Sequence, residues 1–182
     1  MKYVALLRGI NVVGKNMIKM ETLRATFAAL GFENVKSYIN SGNLIFDVSS
    51  PHVSKGFSLE KELSAKIHDA IAKDFGFDIS VMVRSMAEIG EIVANNPYGG
   101  QFEKDKDLHV FFLESDLSPE NTLLLLEKNS DVEMIAVNGR TIYYLLRISI
   151  IDSVLGKGFI DKKLKVPATA RNWRTVKEIT AL

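Results

Sequence analysis

Residues 2–20 read KYVALLRGINVVGKNMIKM, and the way this stretch is understood decides the fold. Tyr3 to Leu7 are aromatic, β-branched or small and aliphatic, a composition that forms a strand buried on at least one face. Arg8 ends the apolar run. Gly9, Asn11, Gly14, Lys15 and Asn16 follow, residues that tolerate unusual backbone angles or carry amide and ammonium donors. Such a loop can wrap an anionic or carbonyl-bearing group, or it can be a plain strand-to-helix connection. Gly9 to Lys15 also has the glycine and lysine spacing of a phosphate-binding loop. That motif requires a serine or threonine next, to hold magnesium, and the next residue is Asn16. Leu44 to Asp47 can pose as the partner strand ending in a metal-facing aspartate, but an apolar strand ending in Asp is common by chance, and the motif serves a parallel sheet. The downstream elements read instead as antiparallel hairpins, so the expected class is α+β and a nucleoside triphosphatase is disfavoured.

Outward from this stretch, Met20, Leu23, Phe27 and Leu30 fall at helical spacing, and Gly31 stops the helix. Asn34 to Ile39 and Leu44 to Val48 form a hairpin around Ser41-Gly42-Asn43. A loop over Ser49 to Gly56 leads to a helix on which Leu59, Leu63, Ile67, Ile71 and Phe75 recur in steps of four. A strand over Phe77 to Val83 completes βαββαβ, the ferredoxin-like order.

Met86 to Ala94 reads as a short helix closed by Asn95-Asn96-Pro97. Tyr98 to Asp107, with Gly99-Gly100 and mixed charges, is the expected mobile loop or half-boundary. Leu108 to Leu113 is a strand, and Ser118-Pro119-Glu120 opens a helix through Lys128. Val132 to Val137 and Thr141 to Leu146 are joined by Asn138-Gly139, a two-residue hairpin signal. A helix over Asp152 to Leu164 is expected next. The pattern of the first half thus recurs without its residues, which predicts two ferredoxin-like (βαββα) halves with mostly antiparallel sheets, residues 1–84 and 85–182. The second half lacks a closing strand in this reading. It ends in a helix capped by Thr169 or an immediate neighbour, with Trp173, Val176 and Thr180 on one face.

Composition narrows the chemistry. At 182 residues and 47% hydrophobic content the chain can bury a substantial core. It has no cysteine, which excludes disulfides, thiolate zinc sites and a cysteine nucleophile. His52, His68 and His109 have no metal-ligand type at chelating spacing and read as surface or packing residues. No metal or cofactor is expected. No apolar run reaches bilayer length, so the expectation is a soluble cytoplasmic protein without a membrane partner. The net charge of +1 is unevenly spread: residues 1–25 carry five cations against one carboxylate, and residues 155–182 carry seven against two. If the two ends meet they form a basic face; otherwise these are ordinary solvated charges.

With both ends read, the chain resembles a bacterial family catalogued as a domain of unknown function, number 1697. The resemblance is carried by LLRGINVVGKN with Met20, Gly31-Phe32 through Tyr38, Ser41-Gly42-Asn43, Phe46, Asn96-Pro97, and Thr169-Ala170-Arg171-Asn172-Trp173 with Thr175. It implies duplicated ferredoxin-like halves and no particular activity, cofactor or catalytic residue. The family reads glycine where this chain has Val13, and a β-branched residue resists positive φ.

The leading functional expectation is a basic site formed by the two chain ends and binding a phosphate-bearing ligand, a nucleotide or a nucleic acid. Its residues are Arg8, Asn11, Lys15 and Asn16 from the opening loop, Ser41 and Asn43 from the hairpin turn, and Arg171, Asn172 and Trp173 from the last helix. Trp173 either anchors that helix on the core or offers a stacking platform. The rivals are an enzyme on a small anionic substrate, for which the sequence offers no nucleophile with an adjacent base, and a structural or self-associating protein without a ligand. Oligomeric state is left open.

Overall fold

The computed structural model describes residues 1–49 and 57–182, so most of the expected 49–56 loop, with His52, lies outside the described residues. The chain forms two compact units, Met1–Gly90 together with Leu182, and Glu91–Ala181.

In the first unit, β1 (Lys2–Leu7), α1 (Met20–Ala29), β2 (Glu33–Tyr38), β3 (Asn43–Asp47), α2 (Phe57–Phe75) and β4 (Val81–Ser85) follow one another. The sheet has the order β2-β3-β1-β4, and every neighbouring pair is antiparallel. Alternation along the strands sends Tyr3, Ala5, Leu7, Leu44, Phe46, Val81 and Val83 into one core with Leu23, Phe27, Leu59, Leu63, Ile67 and Ile71 from the helices. Phe46 stacks on Phe32 with ring centroids 4.4 Å apart and meets the edge of Phe27 at 5.5 Å, so aromatic packing closes the helix–sheet interface.

Strand β4 begins at Val81, not Phe77. Leu7 pairs with Val81, and the Arg8 N–H still reaches the Ser80 carbonyl at 3.0 Å. Gly9 then turns the chain away with φ +66°, and residues 77–79 have no β1 partner left to pair with.

After α3 (Met86–Ala94), the second unit holds β5 (Leu108–Leu113), α4 (Pro119–Leu126), β6 (Glu133–Asn138), β7 (Thr141–Leu146), a π-helical turn (Ile160–Leu164), β8 (Ala168–Asn172) and α5 (Trp173–Thr180). Its sheet order is β6-β7-β5-β8, the first unit's order with each strand advanced by four, and again antiparallel throughout. The α+β class expected from the sequence, with two similar halves each carrying a four-stranded antiparallel sheet, is therefore what the chain builds.

Three local expectations are corrected here. The second half does have its closing strand: β8 lies at the sheet edge against β5, where ATARN alternates too weakly for its strand character to show in sequence. Arg171 and Asn172 thus belong to a strand, and only Trp173 starts the helix. Asn172, not Thr169, caps α5, its side-chain oxygen accepting from the Thr175 N–H at 2.9 Å, and Ile179, not Thr180, shares the buried face. Finally, residues 152–158 are turns instead of a helix. Glu133 takes the Val154 N–H at 2.9 Å and the Tyr144 hydroxyl takes that of Leu155 at 3.5 Å. Gly158 then takes φ +84°, outside the helical region, and breaks the run.

Candidate functional site

In the first unit, the opening loop is a small hairpin closed on itself. Val12 and Lys15 form a bridge, and Val13 (φ +48°) and Gly14 (φ +75°) make the two left-handed positions of a type I′ turn. Asn11 is the hub: its amide nitrogen donates to the carbonyls of Ile18 at 3.0 Å and Asn40 at 2.9 Å, and its oxygen accepts from the Ile18 N–H at 2.8 Å. Asn16 donates to the Gly9 carbonyl at 3.1 Å. Ile10 is buried beneath, against Gly42, where any Cβ would stand 2.8 Å from that of Leu7.

Asn43 is fully buried and donates to the Tyr38 carbonyl at 3.1 Å and to the Ser41 hydroxyl at 3.0 Å, so the hairpin turn also spends its polar groups on itself. Lys15 projects from the surface and Arg8 is half-buried. Strand β1 is antiparallel to both neighbours, and α1 starts only at Met20. The phosphate-loop spacing of residues 9–15 therefore does not correspond to a phosphate loop, whose amides open toward a ligand at the start of a helix.

In the second unit, Arg171 is buried, with one guanidinium nitrogen donating to the Thr169 hydroxyl and the Ala170 carbonyl, each at 2.8 Å, and burial lowers its pKa to about 10. Trp173 is 6% exposed, and its ring meets the edge of Phe102 at 6.5 Å, so it packs inside and offers no open face. Each cluster of expected site residues is thus brought together within its own unit, as a hairpin-and-turn network in one and as a buried strand end in the other.

What Trp173 supports is more informative. Phe102 belongs to the 98–107 segment, which α5 holds through that ring contact and through the Lys177–Asp105 ion pair at 2.8 Å. This segment also walls a cleft of about 760 Å³ that runs to residues 145–150, the end of β7 and the stretch after it. Lys104, Lys106 and Arg147 line it, with Glu103 and Asp107, and His109 stands at its floor. Among the described residues the side chains of these three cations make no ion pair.

His109 lies opposite Tyr144 on β7 and Asn172 on β8, and shares its strand face with the core residues Phe111 and Leu113. Burial pushes its pKa below 6.5, against a hydrogen bond to the Lys106 backbone and the charge of Asp107, which both act to raise it. The sequence reading missed this cleft because QFEKDKD looks like any solvated loop. The available signal was a histidine at a core-facing strand position, read as packing.

No group of histidines and carboxylates among the described residues is arranged to hold a metal ion, and no described helix is long and apolar enough to cross a membrane.

No curated protein matches the chain. Among solved structures it is similar to the conserved bacterial protein SP0830 from Streptococcus pneumoniae, at 25% identity and a TM-score of 0.75, over 99% of this chain and 97% of that one. The family model described as "Protein of unknown function (DUF1697)" matches residues 1–143, and with more than half of its length covered the chain belongs to that family.

Proposed function

We propose that the chain binds a small phosphate-bearing molecule, a nucleotide, in the cleft of the second unit. The observation that carries this reading is the cleft itself: a concave space of about 760 Å³, within the ~300–1,000 Å³ usual for small-molecule sites, lined by cations not committed to carboxylates. Lys104 and Lys106 on one wall and Arg147 on the other suit phosphate oxygens, and the half-buried ring of Phe102 offers an apolar edge for a base. The tail residues serve the cleft from behind. Asn172 caps the helix whose first residue, Trp173, props Phe102.

The test is titration with adenosine triphosphate, adenosine monophosphate and inorganic phosphate, by calorimetry and by the fluorescence of Trp173, the only tryptophan. Saturable nucleotide binding weakened at least tenfold by Arg147→Glu and by Lys104→Glu/Lys106→Glu supports the reading. Absence of saturation at millimolar nucleotide defeats it.

A second reading keeps the phosphate contact on the opening loop. No carboxylate occurs in the sequence from Lys2 to Met20, and Lys15 is exposed beside the turn of that loop, where a nucleic acid strand could reach it. Binding of a labelled single strand that falls steeply with salt, and falls further with Lys15→Glu, favours this reading; a flat salt response counts against it.

A further inference from the structure

We propose that the cleft is catalytic, with His109 the general base in hydrolysis of a phosphate ester of the nucleotide it holds. This rests on the nucleotide-binding reading above.

Along β5, His109, Phe111 and Leu113 point to the same face; the last two are covered by core, whereas His109, at the open end of the strand, contributes to the cleft surface. A histidine there is not required for packing, since an aliphatic side chain would continue the alternation of LHVFFL.

The neutral imidazole carries its proton on one ring nitrogen only. With burial favouring the uncharged ring, the other nitrogen carries a lone pair at neutral pH, which is what a base needs. Lys104, Lys106, Arg147 and Glu103 share the cleft with the imidazole, and the charge of Asp107 acts to raise its pKa against the effect of burial. A base set beside uncommitted cations differs from a mere anion trap, because it can activate an attacking oxygen where the phosphoryl charge is already neutralised.

The chemistry balances without a redox partner. A water oxygen forms a bond to phosphorus as its proton passes to the free nitrogen of His109. The bond from phosphorus to the ester oxygen breaks with its electron pair on that oxygen, on the far side of phosphorus, where it takes a proton from water, and His109 gives its proton up to solvent. Ester and water become an alcohol and phosphate. Lys104, Lys106 and Arg147 hold the non-bridging oxygens, where electrostatic stabilisation acts in phosphoryl transfer.

The experiment measures phosphate release from adenosine monophosphate by the full chain between pH 5 and 8, with His109→Gln purified in parallel and nucleotide affinity measured on both. The expected result is saturable release that rises about tenfold per pH unit below the folded pKa of His109 and levels off above it. His109→Gln should lose at least a hundredfold in rate with affinity changed less than threefold, as removal of a general base predicts. Should that variant fail to fold, His109→Asn and the wild-type pH profile carry the same test. Nucleotide binding with no release above the variant's level, or a variant that keeps its rate, overturns the catalytic inference while leaving binding intact. No nucleotide binding at all defeats the binding reading and this inference with it.

Discussion

The opening loop and the wall of the cleft contain similar residues, glycines, amides and cations, yet hold themselves in opposite ways. In the loop the amide side chains are turned inward while Lys15 points out: Asn11 alone ties three backbone groups, Asn16 a fourth, and Asn43 secures the turn alongside. In the 98–107 wall the anchors are few, an aromatic edge contact and an exposed ion pair to α5 with a handful of backbone bonds, while Lys104 and Lys106 face the cleft. Polar residue types in a sequence therefore do not distinguish a site from a scaffold. What distinguishes them is whether their hydrogen-bonding capacity is already spent.

The largest effect is expected at Gly42. It has φ +78°, and an added Cβ would lie 2.8 Å from the Cβ of Leu7 and 2.9 Å from Ile10 Cδ1. Overpacking costs about 1–3 kcal/mol and left-handed strain about as much again, so Gly42→Ala should destabilise the first unit by roughly 4 kcal/mol. Hydrogen exchange can read this unit by unit, and an unchanged first unit refutes the account. Asn11→Ala should follow at about 2 kcal/mol, the net value of its hydrogen bonds plus the carbonyls left short of a donor. In both variants Trp173 fluorescence and nucleotide affinity should stay within error, because the damage lies in the scaffold and not in the cleft.

The fold was legible because its evidence is periodic. LHVFFL and TIYYLL announce strands, the four-residue steps of α2 announce a helix, and Asn138-Gly139 fixes a hairpin. The misreadings have different causes. ATARN becomes a strand only because β5 offers it an edge, a long-range partner that sequence does not show, whereas the run after Asp152 is broken where Gly158 takes φ +84°. For the site, sequence located polar segments well but could not say which were spent. Arg171 illustrates this: as a letter it is a cation near a tryptophan, and in the fold it is buried beneath its own strand, bonded to Thr169 and Ala170.

A smaller effect of opposite sign tests the tip of the loop. Val13 is 93% exposed at φ +48°, the first central position of a type I′ turn. A β-branched side chain there is strained, and exposure leaves no packing to offset the strain. The resistance of valine to positive φ noted in the sequence is thus overridden by the closed hairpin around it. Val13→Asn, which suits the turn, should stabilise the first unit by about 1 kcal/mol. A loss of stability would mean that this side chain makes contacts the strain argument leaves out.

The smallest effect distinguishes the two regions best. Lys177 and Asp105 are joined at 2.8 Å, but their side chains are 47% and 31% exposed, so solvent screening limits the pair to about 0.5 kcal/mol. Lys177→Met, which keeps the apolar stem, should barely move global unfolding. The pair nevertheless anchors the segment that carries Phe102, Lys104 and Lys106, and the remaining side-chain tie from that segment to α5 is the Phe102–Trp173 edge contact. Loosening the wall should therefore appear as faster hydrogen exchange over residues 98–107 and a change in Trp173 emission, with nucleotide affinity reduced about two- to threefold, as ~0.5 kcal/mol of lost preorganisation implies. If exchange over 98–107 is unaltered, the ion pair is decoration and the wall is held by its backbone bonds, which would make it a closed scaffold like the opening loop.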